Sequence, residues 1–148
     1  MKASRPSFLL VDGNNIIHSW PDLLAMHRRR KGSAHSELTS RLESSRDFTG
    51  DRVVIVFDGK GAITQEERRE DGLQIFYTSE SHTADDIIER LAIRYADTYD
   101  ITVATDDRAE QDIVVGAGGS VLSSIVLRDI LEAAGRSMRD WIARHRKR

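Results

Sequence analysis

The chain has 148 residues, a formal net charge of −2 and no cysteine, which excludes a disulfide framework and a metal site built from thiolates. This length is enough for one domain with its own hydrophobic core. The apolar stretch at residues 8–11 is too short for a signal or membrane segment. The sequence therefore predicts a single cytoplasmic domain over residues 1–148 that does not associate with membranes.

Short apolar runs that end in acidic residues recur along the chain. The first run is followed by Asp12-Gly13-Asn14-Asn15 and lacks period-2 alternation, as expected for a strand covered on both faces. The β-branched run before Asp58 is the strongest strand prediction. The predicted strands span residues 7–11, 53–57, 73–77 and 101–105, and the third is expected near an edge of the sheet.

Helical patterns separate these strands. Apolar residues with helical spacing follow Thr83, which is a plausible N-cap. The charged, glycine-flanked segment 60–72 fits either a short surface helix or a loop. Further helices are predicted at residues 35–47, at 109–115 and from Ser120 or Ser123 to about 134, where Gly135 interrupts the pattern. A basic amphipathic helix or tail at about 136–148, with Trp141, closes the chain.

Alternating strands and helices predict a mainly parallel sheet with helices on both faces. In such sheets the functional site lies at the carboxyl ends of the strands. Asp12, Asp58 and Asp107 are therefore expected at one edge, and the helix after the third strand brings Asp85 and Asp86 there. Asn15, one turn past Asp12, places an amide beside this edge.

Carboxylates that converge repel one another, and a divalent cation with oxygen ligands offsets the repulsion. Such an ion activates water and stabilises a leaving phosphate oxygen, so the pattern favours metal-assisted phosphodiester hydrolysis. Each acid also has a simpler interpretation as a helix cap or turn former. For Asp58, followed by Gly59, the turn role is the stronger interpretation, and for Asp12 the two are even.

Two basic clusters complement the acidic edge. Either cluster can be a solvated surface or a solubility tail, but phosphate backbones require cations near a metal site. We therefore take both as candidate RNA-binding residues. They are Arg28, Arg29, Arg30 and Lys31 in one cluster and Arg144, Arg146, Lys147 and Arg148 in the other.

Several segments together resemble the YacP-like branch of the NYN domains, which belong with the PIN and FLAP nuclease-like folds. The resemblance covers nearly the whole chain in order, although each motif alone is weak. Two departures are Asp106, where related chains tend to have serine, and Asn14, where an aromatic residue is common. The segments are Leu10-Val11-Asp12-Gly13-Asn14-Asn15, Val56-Phe57-Asp58, Thr83-Ala84-Asp85-Asp86 with Glu89-Arg90-Leu91-Ala92, and Val103-Ala104-Thr105-Asp106-Asp107 with Glu110-Gln111.

The resemblance implies a three-layer α/β/α PIN-like fold and ribonuclease activity that depends on one or two Mg²⁺ or Mn²⁺ ions. It also implies endonucleolytic cleavage of mRNA in association with the ribosome. By motif match, the metal-binding carboxylates are Asp12, Asp85 and Asp107, supported by Asp58 and Asn15. Asp86 and Asp106 are further candidate ligands.

Three functions therefore compete. The first is a metal-dependent ribonuclease that uses the carboxylates. The second is a non-catalytic RNA- or ribosome-binding module of the same fold, in which only the basic residues matter. The third is a metal-dependent phosphatase or a 5′-nuclease acting on DNA flaps, which ranks last because a chain this short lacks room for the added helical arch that such enzymes use.

Overall fold

The computed structural model describes residues 5–30, 32–49, 52–69 and 72–146. Within these residues, a six-stranded sheet has the strand order β3-β4-β2-β1-β5-β6. Only β3 runs antiparallel to its neighbour, and the other pairs are parallel. The strands are β1 (Ser7–Asp12), β2 (Arg52–Gly61), β3 (Gln65–Arg68), β4 (Gln74–Ser79), β5 (Asp100–Ala104) and β6 (Ser120–Leu122).

Helices cover both faces of the sheet and form two separate hydrophobic cores. Leu23, Leu38 and Leu127 pack on one face, while Ala84, Ile88 and Val114 pack on the other. The predicted α/β/α sandwich is confirmed. The helices are α1 (Gly13–Ser19), α2 (Pro21–Arg29), α3 (Ser33–Thr49), α4 (Ala84–Tyr95), α5 (Arg108–Gly116) and α6 (Ser124–His145).

The central strands owe their burial to the apolar runs seen in the sequence. Val11, Ile55 and Val56 are completely buried, as expected for strands sandwiched between helix layers. At the end of β1 the chain turns directly into α1. A Cβ atom on Gly13 would lie only 2.3 Å from the Phe57 ring, so the tight packing of β1 against β2 at this turn requires glycine.

The described part of the segment at 60–72, which leaves out residues 70 and 71, is neither the surface helix nor the loop expected. It contains the end of β2 and the edge strand β3, in which Glu66 pairs with Phe76 of β4. Every residue of β3 is exposed. Its strand conformation therefore comes from pairing with β4 rather than from a local apolar pattern. As expected, β4 lies near the sheet edge, one position in from β3.

The structure corrects two predictions about the last third of the chain, namely the alternative helix start at Ser120 and the interruption at Gly135. Residues 120–122 form strand β6, and the final helix begins after its N-cap Ser123, which confirms the other predicted start. That helix then continues through Gly135 to His145 as a single element. A glycine inside a helix costs only about 1 kcal/mol relative to alanine, and Leu127 and Ala134 bury one face of α6, so tertiary packing outweighs the propensity.

The parallel strands place their carboxyl ends along one edge of the sheet. The turns that follow β1 and β5 lead immediately into α1 and α5, and α4 begins shortly after β4. This edge therefore gathers strand ends and helix N-termini. In the described part of the chain, none of the helices has the length and apolar character that a membrane span requires.

Candidate metal centre

Asp12 occupies the junction of β1 and α1, where it is only 6% exposed. Its Oδ1 accepts a hydrogen bond from the Asn15 backbone N–H at 3.3 Å, so the residue does cap α1. Burial raises the pKa of Asp12, and the charges of Asp58 and Asp85 raise it further, against hydrogen bonds that lower it. The Asp12 carboxylate thus caps α1 and also lies beside other acids.

Glu110 in the first turn of α5 is the functional candidate that the sequence prediction of site residues missed. It is 1% exposed. Its Oε2 accepts a hydrogen bond from the Thr105 hydroxyl at 3.2 Å, whereas its buried Oε1 receives none from the described residues. Burial, together with the adjacent Asp12 carboxyl group, raises the pKa of Glu110 to about 10.

A local sequence signal for Glu110 exists. Asp107 is the N-cap of α5, and its Oδ1 accepts a hydrogen bond from the Glu110 N–H at 3.1 Å. An acid three residues after an N-cap lies in the first helical turn, close to the cap. The spacing from Asp107 to Glu110 therefore predicts that the two carboxyl groups lie near each other.

Three of these acids come within reach of a single ion. Asp85, Asp107 and Glu110 each offer one carboxylate oxygen, and these oxygens lie within 4.8 Å of one another. Asp12 extends the cluster, because its carboxyl group is adjacent to that of Glu110. We call these four residues the acidic cluster. The three predicted ligands Asp12, Asp85 and Asp107 thus converge at the expected edge, with Glu110 among them.

Asp85 reaches the cluster through the start of α4. Thr83 caps this helix, and its hydroxyl group donates to Asp85 Oδ1 as well as accepting from the Asp86 N–H at 3.3 Å. The Asp86 carboxylate in turn accepts a hydrogen bond from the Thr83 N–H, which completes a capping box. Asp86 therefore stabilises the helix terminus and is not a member of the acidic cluster.

Asp58 and Asp106, predicted as ligands, are engaged in other contacts. Asp58 Oδ1 accepts a hydrogen bond from the Ala84 N–H at 2.7 Å and so ties β2 to α4. Both oxygens of Asp106 bind Ser124, at 2.7 Å to the N–H and 2.6 Å to the hydroxyl. Burial raises the pKa of Asp106, but the hydrogen bonds from Ser124 and Ser19 outweigh it and lower the pKa overall.

The two asparagines hold the loops of this edge in place. Asn14 Oδ1 accepts from the Asp58 N–H at 2.9 Å, and Asn15 Oδ1 accepts from the Asp106 N–H at 2.8 Å. Asn15 therefore anchors the segment that carries Asp107. This is a positioning role, in agreement with the expectation that an amide supports the carboxylates without adding charge.

The donor set fits a hard divalent cation. The cluster contains only carboxylate oxygens, which Mg²⁺ and Mn²⁺ accept as ligands. The buried Glu110 Oε1, which receives no hydrogen bond from the described residues, is an acceptor for a proton or a metal ion. Four adjacent acids repel one another unless such a positive charge is present.

The predicted basic residues lie on the surface. Arg28 and Arg29 end α2, Arg30 follows it, and all three are exposed. Arg144 and Arg146, at the end of α6, are exposed as well. Lys31, Lys147 and Arg148 lie outside the described residues.

Comparison with known proteins identifies the family and supports the fold. A family model described as the YacP-like NYN domain matches residues 9–148. The protein YacP from Bacillus subtilis (strain 168), described as uncharacterized, is 34% identical over 112 residues. That match covers 74% of this chain and 66% of the relative, so the chain spans just under two thirds of its length.

Two crystal structures of Rae1 (YacP) from Bacillus subtilis are similar to the whole fold. One, of a mutant, has a TM-score of 0.80 at 29% identity and covers 93% of this chain and 82% of the other. The second has a TM-score of 0.77 at 30% identity, with 93% and 80% coverage. Because the family model matches nearly the whole sequence, the chain belongs to the YacP-like NYN domain family, whose fold is nuclease-like.

Proposed function

We propose that this protein is a metal-dependent ribonuclease that cleaves RNA internally. The observation that carries the proposal is the acidic cluster, in which three carboxylate oxygens lie within 4.8 Å of one another at the functional edge of a nuclease-like fold. Acids gathered this closely repel one another unless a proton or a cation offsets their charge, and a cation-binding role accounts for their proximity.

Asp12, Asp85, Asp107 and Glu110 would hold one or two Mg²⁺ or Mn²⁺ ions. When bound, an ion of this kind would activate water and stabilise the negative charge on the phosphate. Asp107 and Glu110 are fixed to each other through the cap of α5, and Asp85 is fixed through the Thr83 hydroxyl. These contacts hold the ligands in place before RNA arrives, which favours catalysis.

The choice of RNA as substrate rests on the family resemblance and on the charge distribution. Exposed arginines at the end of α2 and of α6 provide cations on the outer surface, and phosphate contacts of this kind position a nucleic acid without reading its sequence. We extend the proposal to mRNA bound at the ribosome as the physiological substrate, since the resemblance implies that setting.

Substitution of Asp12 tests the catalytic proposal. We expect Asp12→Asn to lower the cleavage rate of a single-stranded RNA by at least about 100-fold. Residues that only support a metal ligand typically cost about 10- to 100-fold when mutated, and a ligand itself should cost at least the upper value. Asp97→Asn, an exposed acid after α4, is the matched control and should cleave normally. Cleavage is measured in Mg²⁺, in Mn²⁺ and in EDTA, with circular dichroism to confirm folding.

The outcomes separate the competing functions. Full activity of Asp12→Asn, or activity of the wild type in EDTA, contradicts the proposal. RNA binding without metal-dependent cleavage of any substrate would instead identify a non-catalytic binding module. Preferential cleavage of DNA flaps over single-stranded RNA would identify a 5′-nuclease.

A further inference from the structure

A groove with a volume of about 840 Å³ lies between α3 and α6, on the sheet face away from α4 and α5. Its walls come from Glu37, Ser40 and Arg41 on the α3 side and from Arg128 to Arg139 on the α6 side, and Trp20 and Asp22 also line it. The groove has charged side chains on both walls and lies outside the acidic cluster, and none of its lining residues belongs to the described part of either predicted basic cluster.

The groove carries guanidinium groups that have no carboxylate partner. Arg41 binds Asp22 at 2.6 Å and Glu37 at 3.1 Å. Both carboxylates also line the groove, so these three side chains together contribute a small negative charge on the α3 side. In contrast, Arg128, Arg136 and Arg139 form no ion pair with any described residue. Glu132 is the single carboxylate of the groove wall on α6 among the described residues. The α6 side of the groove therefore offers a net positive charge and free hydrogen-bond donors.

The spacing of the arginines suits an extended polyanion. Arg128 and Arg139 are eleven residues apart on one helix, which places them on the same face about 17 Å from each other at 1.5 Å per residue. Arg136 lies one turn from Arg139. A single compact anion cannot contact both ends of such a row, whereas successive phosphates of one strand can.

Trp20, which lines the groove, is linked through hydrogen bonds to the segment that carries the acidic cluster. Trp20 Nε1 donates a hydrogen bond to the Ser124 carbonyl at 3.0 Å, and Ser124 binds both oxygens of Asp106. Asp106 directly precedes Asp107 of the cluster. The start of α6 therefore lies next to the segment that carries Asp107, and the groove runs along the same helix.

We propose that the groove between α3 and α6 binds the phosphate backbone of single-stranded RNA on one side of the cleavage position. The inference rests on the proposed ribonuclease function, since it assigns a second contact region to the same substrate. Guanidinium groups form paired hydrogen bonds with phosphate, and the exposed hydroxyl group of Ser40 adds a further donor. Binding here is independent of base sequence.

The first test removes two exposed charges. We expect Arg136→Gln/Arg139→Gln to weaken binding of a 20-nucleotide RNA about tenfold at low salt, and to reduce the slope of log affinity against log salt by about 1.4, or 0.7 per lost phosphate contact. Fluorescence anisotropy in EDTA measures binding without cleavage. The control Arg90→Gln/Arg94→Gln removes two exposed arginines from α4, on the opposite face, and should bind like the wild type.

A second pair of variants keeps the test independent of folding. Gly135 lies on the groove wall, and a Cβ there would meet only the Arg139 guanidinium, at an ordinary 3.5 Å. We expect Gly135→Glu to weaken RNA binding in the same direction as the double substitution but by a smaller factor, because its carboxylate offsets the charge of Arg139 alone. Gly135→Ala should retain wild-type binding. Both favour the helix over glycine.

Each outcome has a distinct meaning. Unchanged affinity and salt slope in both Arg136→Gln/Arg139→Gln and Gly135→Glu overturn the groove proposal, whatever the cleavage assays show. Equal displacement of RNA by polyglutamate of matched charge also overturns it, because the groove would then favour acidic peptides. Weakened binding in these variants, combined with no cleavage by the wild type, supports the groove and contradicts the ribonuclease function instead.

Discussion

Glu110 and Asp12 link the stability of the metal-free protein to pH. Burial raises the pKa of Glu110 from 4.5 to about 10, so the folded state binds more protons than the unfolded state between these values. Stability is then lost as pH rises through this window, with a slope of at most about 1.4 kcal/mol per pH unit for one group. A bound cation replaces the proton and removes this cost.

Replacing Glu110 by its amide isolates this effect. We expect Glu110→Gln in EDTA to unfold near the wild-type temperature at pH 5 and several degrees higher at pH 8, since about 1 kcal/mol corresponds to roughly 4 °C for a domain of this size. Thermal unfolding from pH 5 to 9 measures the difference. Mn²⁺ should stabilise the wild type but not the variant. Glu80→Gln, at an exposed acid, is the control, and a similar gain there would contradict the assignment to Glu110.

At the scale of one element, the N-terminus of α4 contains a side chain that both caps the helix and contacts a member of the acidic cluster. The Thr83 hydroxyl group accepts a hydrogen bond from the Asp86 N–H and donates one to Asp85. The same side chain thus begins the helix and orients a candidate ligand. Loss of the Thr83 hydroxyl group should therefore change both the stability of the protein and its affinity for a metal ion, and the two effects can be measured separately.

We expect Thr83→Ala to lower the free energy of unfolding by about 1 kcal/mol, the usual value for an N-cap, and also to weaken Mn²⁺ binding about 10-fold. Urea denaturation and isothermal titration calorimetry measure the two effects. Thr83→Ser keeps the hydroxyl group and should restore both. If calorimetry shows wild-type affinity for Thr83→Ala, the contact with Asp85 has no role in metal binding.

For the whole molecule, apolar patterns were enough to predict the layers and the functional edge. The strands at 7–11, 53–57 and 101–105 and the convergence of Asp12, Asp85 and Asp107 follow from local sequence and from the geometry of parallel sheets. Strand β3 was missed because its residues are all charged or polar and only the contact with β4 makes it extended. The groove arises from packing between α3 and α6, which no local pattern encodes.

Trp20, between α1 and α2, contacts the start of α6 in the same helical layer. It is 1% exposed and donates to the Ser124 carbonyl at 3.0 Å, across 104 positions of sequence. We expect Trp20→Phe to destabilise the protein by about 1–3 kcal/mol through the lost hydrogen bond and a cavity, and to speed hydrogen exchange at the start of α6. Trp141→Phe, at a half-exposed position, should cost less than about 0.5 kcal/mol. Equal effects of the two substitutions would rule out this coupling.

The position of β1 at the centre of the sheet has a consequence for biosynthesis. β1 pairs with β2 on one side and with β5 on the other, and the residues before Asp100 supply Asp12 and Asp85 but neither Asp107 nor Glu110. Because chains emerge from the N-terminus, a nascent polypeptide holds only half of the acidic cluster until β5 and α5 have been made. The acidic cluster is therefore complete only after Glu110, in the first turn of α5, has been added to the chain.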